Sequence, residues 1–160
     1  MTMATVTAAR GAAAPITGCS GLEFVARLAD ESIRRPPMAE TLPFTLLLPE
    51  EGKAKLLATP EPRFLNLTNA VHGGWIITML NTAMSLAAHA QLSPGETCPS
   101  HETTAKFVRP MFGASGVIRV LGRVVSCGRT VITLQGRIED DEGRLHAHGT
   151  STCLVESRRP

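Results

Sequence analysis

A chain of 160 residues is long enough for one domain with a substantial core. Its 43% apolar and 19% charged residues are ordinary for a soluble globule. A net charge of +2, with no Lys/Arg cluster interleaved with aromatics, argues against a nucleic-acid groove. There is no Tyr, and only five Phe and one Trp, so the core rests on Leu, Val, Ile, Ala and Met.

Residues 1–18 are rich in Ala, Thr and Gly and lack the continuous apolar segment of a signal peptide, so they read as a disordered N-terminus. From Gly21 to Ile33 the apolar residues fall near helical spacing, with Ser20 as the cap and Pro36-Pro37 as the stop. Leu42–Leu48 reads as a strand, "PEEGK" as a turn and Ala54–Thr59 as the hairpin partner. "EPRFLNLTNAV" is a loop leading into one long helix, Gly74–Gln91, which "LSPGETCPS" ends. Four strands follow at hairpin spacing: His101–Pro110, Ser115–Ser126, Thr130–Asp140 and Arg144–Glu156. The pattern is α+β, with five or six antiparallel strands available to wrap one central helix. That helix carries polar groups and an amphipathic face, so it is not a membrane span.

The four cysteines, Cys19, Cys98, Cys127 and Cys153, show no metal-ligand spacing and read as reduced, cytosolic thiols. His146 and His148 alternate with Thr150 on one strand and have no acidic or Cys partner at ligand spacing, so they read as structural.

On the long helix Ile76, Met79, Leu80, Ala83, Met84, Ala87 and Ala88 form a broad apolar face. Thr78, Asn81, Thr82, Ser85 and His89 form a polar stripe. The stripe meets solvent or a partner subunit, or it lines a pocket. The lack of any charged residue from Gly74 to Gln91 weighs against open solvent.

His72-Gly73-Gly74 places two unobstructed backbone N–H groups at the helix start, where no intrahelical acceptor exists and the dipole favours negative charge. An oxyanion hole needs that arrangement. The alternative is a tight turn that packs closely, with His72 in the core.

These residues resemble a family. Asn66, His72-Gly73-Gly74, the ninth residue after His72, Phe107-x-Arg109-Pro110, Gly128-Arg129, and Asp141-Glu142-Gly143-Arg144 through Gly149-Thr150 occur in the order seen in hotdog-fold acyl-CoA thioesterases. The chain is similar to the phenylacetic acid degradation (PaaI-like) group over residues 41–156. The resemblance implies a hotdog fold, a curved antiparallel sheet around one long helix, spanning residues 41–157 behind an N-terminal helix and Pro-rich lead-in at 19–40. It implies a cytoplasmic homodimer joined edge to edge, often paired into a tetramer, with sites at the dimer interface. It also implies hydrolysis of an acyl-CoA or carrier-bound acyl thioester without metal or other cofactor, and no nucleic-acid or membrane partner.

By the same resemblance Gly73 donates its N–H to the thioester carbonyl. Asn66 and His72 orient thioester or water, and a strand hydroxyl assists, with Ser100 matching better than Thr103 or Thr104. Gly74, Trp75, Arg109, Gly128 and Arg129 are expected at the acyl-CoA. Arg is suited to phosphate, and Trp75 otherwise only packs.

Asn81 departs from the pattern, because the family usually has Asp or Glu there. An amide accepts a hydrogen bond but takes no proton from water. Three accounts stand open: an acid replaced by design to hold substrate intact, a slow natural enzyme that positions water, or a protein that binds or rearranges acyl thioesters. Glu102 is the only carboxylate near the matching strand to serve as a substitute base.

Overall fold

The computed structural model describes residues 18–113 and 115–157. The expectation for residues 1–18 therefore lies almost wholly outside the described residues.

Helix α1 (Gly21–Ala29) starts where Ser20 accepts from the Glu23 N–H at 3.2 Å, as the sequence predicts, and buries Val25 and Leu28. It ends earlier than Pro36-Pro37 predict. Asp30 Oδ1 takes the Ser32 N–H at 2.9 Å, and Glu31 adopts a φ of 62°. This local side-chain turn outcompetes another helical turn. A four-residue helix α2 (Met38–Thr41) follows, which the pattern did not signal.

The predicted strand Leu42–Leu48 shrinks to β1 (Thr45–Leu46). Pro43 and Pro49 flank it, and neither has an N–H for a ladder. Next come β2 (Lys53–Ala58) and a 3-10 turn at Pro62–Phe64. The central helix α3 (Gly73–His89) begins one residue before the predicted start. After it run β3 (Glu96–Thr97), β4 (Ser100–Phe107), β5 (Ile118–Cys127), β6 (Val131–Glu139), β7 (Leu145–Leu154) and β8 (Glu156–Ser157).

Six strands form one antiparallel sheet in the order β1-β2-β5-β6-β7-β4, and β3 pairs with β8 beside it. All seven apolar-face residues of α3 are buried. They meet the inward residues Leu56, Ile118, Val120, Ile132, Leu134, Ile138 and Ala147, and each large side chain contributes roughly 1.5–3 kcal/mol by leaving water. The helix lies so close to β5 that a Cβ on Gly122 would sit 2.2 Å from the Ala83 carbonyl oxygen. Only glycine fits that crossing.

This arrangement leaves β4 as a sheet edge of eight residues, most of them exposed. Among the described residues no helix is long and apolar enough to cross a membrane.

Candidate active site

The start of α3 offers one free amide where the sequence suggested two. His72 is extended (φ −63°, ψ 135°), and its Nδ1 accepts from the Gly74 N–H at 2.9 Å. The Trp75 and Ile76 N–H groups go to the His72 carbonyl at 3.0 and 3.2 Å. Of these amides, Gly73 N–H is left without an acceptor among the described residues. The Gly74 N–H, expected at the substrate, is taken by the histidine cap. Because Nδ1 is the acceptor, a neutral His72 ring carries its proton on Nε2 and keeps no free lone pair.

Asn66 is fixed in the same way. Its Oδ1 accepts from Thr68 N at 2.9 Å, Thr68 Oγ1 at 2.8 Å and Ala70 N at 3.1 Å. Three donors at one oxygen settle which end of the amide is which, so the NH2 is the end left to the surface. Asn66 and Gly73 line one cleft of about 420 Å³ with Phe107 and Arg109. His72, Gly74 and Trp75 open onto a separate cleft of about 300 Å³ with Phe64 and Thr78. Trp75 is only 5% exposed, and its ring centroid lies 6.1 Å from that of Phe64. It is chiefly a packing residue that shows one edge to the second cleft.

The polar stripe of α3 divides by partner. Thr78 and Thr82 return their hydroxyls to carbonyls four residues back, at 2.9 and 2.8 Å. Asn81 and Ser85 instead reach β4. Asn81 Oδ1 accepts from Ser100 Oγ at 3.0 Å and Thr103 Oγ1 at 2.8 Å. Ser100 Oγ also lies 3.0 Å from Ser85 Oγ, and Thr103 Oγ1 lies 3.0 Å from Ser151 Oγ. Ser151 in turn donates to the Glu102 carbonyl at 2.8 Å. Both lone pairs of the Asn81 carbonyl are thus engaged, and its NH2 has no partner among the described residues.

The sequence ranked Thr103 below Ser100, but both hold Asn81. Ser85 and Ser151 were not singled out as site residues, and only the pairing of β7 with β4 brings Ser151 there. Thr104 faces Thr150 instead, at 3.0 Å. Glu102 follows the strand alternation away from Thr103, so it is no substitute base.

At the far end of the stripe, His89 Nδ1 donates to the Ser85 carbonyl at 2.8 Å. Burial holds its pKa below the ordinary histidine value, against the opposing effect of that bond. Cys98 lies nearby, and its hydrogen bond to Cys153, together with burial, pushes its thiol far up. Held protonated in this way, the Cys98 thiol is a poor nucleophile.

Gly73 and Asn81 do not share a site within one chain. Eight residues of helix separate them by roughly 12 Å. On β4 the same interval recurs: Thr103 bonds to Asn81, while the Phe107 ring covers Gly73.

Arg109 stands in the wall of the Gly73 cleft. Arg129 is exposed on the β5–β6 turn, at the end of the sheet where Val131 pairs with Leu154. The Gly128 N–H closes the hairpin onto the Val131 carbonyl at 2.8 Å.

A capped helix start with one bare N–H, beside an amide presented as a donor, suits the carbonyl of an ester-like group. The family model of the thioesterase superfamily matches residues 68–147, which is half of the chain and includes both Gly73 and Asn81. The chain belongs to the thioesterase superfamily. Its fold is the hotdog fold.

This thioesterase resembles a phenylacetic acid degradation-related protein of Ralstonia eutropha JMP134, with 27% identity, TM-score 0.76, and coverage of 82% of this chain and 99% of that one. The PaaI protein of the E. coli phenylacetic acid degradation operon is 20% identical, with TM-score 0.75 and coverage of 86% and 94%. A Streptococcus mutans UA159 structure bound to acetyl CoA is 20% identical, with TM-score 0.66 and coverage of 73% and 91%. No curated protein matches the chain. The superfamily membership makes the protein a thioester hydrolase, and its likeness to the R. eutropha protein makes it PaaI-like.

Proposed function

We propose that the protein hydrolyses acyl-CoA thioesters slowly, in a site completed by a second copy of the chain. The observation that carries this reading is the single unpaired Gly73 N–H beside the Asn66 amide in a cleft that also holds Arg109. The two donors polarise the thioester carbonyl and take up charge on its oxygen as water adds. Arg109 and Arg129 are suited to phosphates of the CoA moiety. The acetyl CoA bound in the S. mutans relative supports CoA as the carrier.

The edge strand supports a homodimer. A two-fold axis near Ala105, with β4 paired to its copy, sets Thr103 opposite Phe107 of the partner subunit. The 12 Å gap then closes, because Gly73 meets Asn81 and Ser100 of the partner subunit. Leu67, Phe107, Val108 and Phe112 are more than half exposed around this edge and gain cover in such a dimer. The further pairing into a tetramer rests on the resemblance alone. All four cysteines are free, which supports a cytoplasmic setting. The reaction as drawn uses no metal or other cofactor.

In this site Asn81 orients water through its NH2, and Ser100 and Thr103 fix the amide. No side chain there takes the proton that the attacking water sheds, so it passes to solvent and turnover is slow. The net change is thioester plus water to carboxylic acid plus thiol. The same lack of a basic lone pair favours a second reading, an acyl-thioester binder without turnover, over a lyase or isomerase, which needs a base.

Thiol release from short, long and aromatic acyl-CoAs, with sedimentation of the same sample, tests the proposal. Slow release by a dimer or larger assembly is expected. Binding without release marks the second reading, and a monomer inert to every ester contradicts both.

A further inference from the structure

The wall of the Gly73 cleft is built by residues 107–111, a segment that leaves the sheet at the end of β4. One residue on β7 grips it from both sides. The His146 carbonyl accepts from Val108 N at 2.8 Å and Arg109 N at 3.1 Å. The His146 ring reaches back, with Nδ1 3.3 Å from the Arg109 carbonyl. Its Nε2 lies 3.1 Å from Asp140 Oδ2.

Asp140 and His146 are 2% and 5% exposed. Arg144 holds the carboxylate with its backbone N–H on Oδ1 at 2.8 Å and its Nε on Oδ2 at 2.6 Å. Arg119 adds a bond to the Asp140 carbonyl at 2.8 Å. Farther along the gripped segment, the Met111 carbonyl accepts from Val71 N at 2.8 Å, next to the His72 cap. A continuous chain of bonds therefore runs from Asp140 through His146 and Arg109 to the start of α3.

The imidazole sits between a carboxylate oxygen and a carbonyl oxygen, and neither can donate. Both contacts are hydrogen bonds only when both ring nitrogens carry protons.

We propose that His146, anchored by Asp140, is a positioning residue that fixes the Arg109 wall of the acyl-CoA cleft relative to Gly73. The inference rests on the reading of that cleft as the substrate site. It assigns a role to a histidine that the sequence pattern marks only as structural. Loss of either ring contact loosens the wall, so substrate affinity falls while the oxyanion donors stay in place.

The test compares the wild type with H146Q and D140N by acyl-CoA kinetics and by amide hydrogen exchange. A Gln donates to Asp140 or to Arg109 but spans both poorly. The expected result is a fall in kcat/KM of about tenfold, carried by KM with kcat nearly unchanged. That is well inside the ~10²-fold that a misplacement of about 1 Å can cost. The Val108 and Arg109 amides exchange faster in both variants than in the wild type.

Unchanged exchange and unchanged KM overturn the proposal, as does a loss carried by kcat alone. Exchange is read without turnover, so a wild type that hydrolyses nothing sinks the proposed activity and leaves the clamp to be judged by its amides. If H146Q does not fold, D140N, which keeps the imidazole, decides.

Discussion

Thr103 Oγ1 donates to Asn81 Oδ1 at 2.8 Å, so a strand hydroxyl holds the amide carbonyl that an attacking water would otherwise meet. Ser100 takes the second lone pair at 3.0 Å. The side chain at position 81 is thereby oriented as firmly as a catalytic carboxylate, yet it presents only donors.

Asn81→Asp supplies the absent base without disturbing that support. Both hydroxyls already donate to this oxygen, and the new oxygen replaces the exposed NH2. The gain in kcat at neutral pH is expected to be roughly 10²–10⁴-fold, the usual contribution of general-base catalysis. Steady-state thiol release checks it, and no gain means that the partner-subunit geometry is wrong.

Thr103→Val removes one of the two donors at nearly constant volume. A net hydrogen bond of about 1 kcal/mol corresponds to a fall of roughly fivefold in kcat, and Thr103→Ser restores most of it. Equal rates for Val and Ser would show that Ser100 alone sets the amide.

The extent to which the chain announced this site follows from what each signal depends on. The apolar face of α3 was fully legible, since burial against a sheet requires that period and nothing else. Ser20 was legible as a cap for the same local reason. The fate of Gly74 was not, because it turns on which rotamer His72 adopts. The short β1 was hidden because an apolar run suits a strand whether or not a partner pairs along its whole length. Ser151 and His146 belong to β7, and sequence spacing does not say that they lie against β4 and its exit.

The His72 cap is a stability device as well as a tautomer lock. His72→Ala leaves the Gly74 N–H to water and is expected to cost about 0.5–2 kcal/mol, while His72→Asn, a strong capping residue, retains most of the stability. Urea unfolding of the two variants distinguishes them. Equal losses would show that the ring contributes by packing.

Stability should decline in two acid stages. Burial keeps His89 from protonating in the folded state, so as pH drops below the ordinary value of 6.5 the unfolded chain binds the extra proton and stability falls. Asp140 acts in the same direction at lower pH. Its burial favours the neutral acid, but the hydrogen bonds of Arg144 and His146 outweigh that and hold its carboxyl well below the usual range. Its contribution is complete above the ordinary carboxylate value of 3.8 and drains away as pH falls below it. Thermal melts from about pH 8 to pH 2 should show both stages, and D140N should lack the second.

The most direct measurement of the central claim is the activity of Gly73→Pro. Gly73 is the first residue of α3, where proline is well tolerated, and the extended His72 before it already has the backbone that proline prefers. The substitution deletes one N–H and keeps the helix, and its Cβ meets the tip of the Phe107 ring at 3.1 Å, so that ring gives way by a few tenths of an ångström. With the melting temperature close to wild type, thiol release should fall by roughly 10²–10³-fold, the usual loss for one oxyanion donor. Undiminished release from a folded Gly73→Pro protein would contradict the account, since the thioester oxygen would then be held somewhere else.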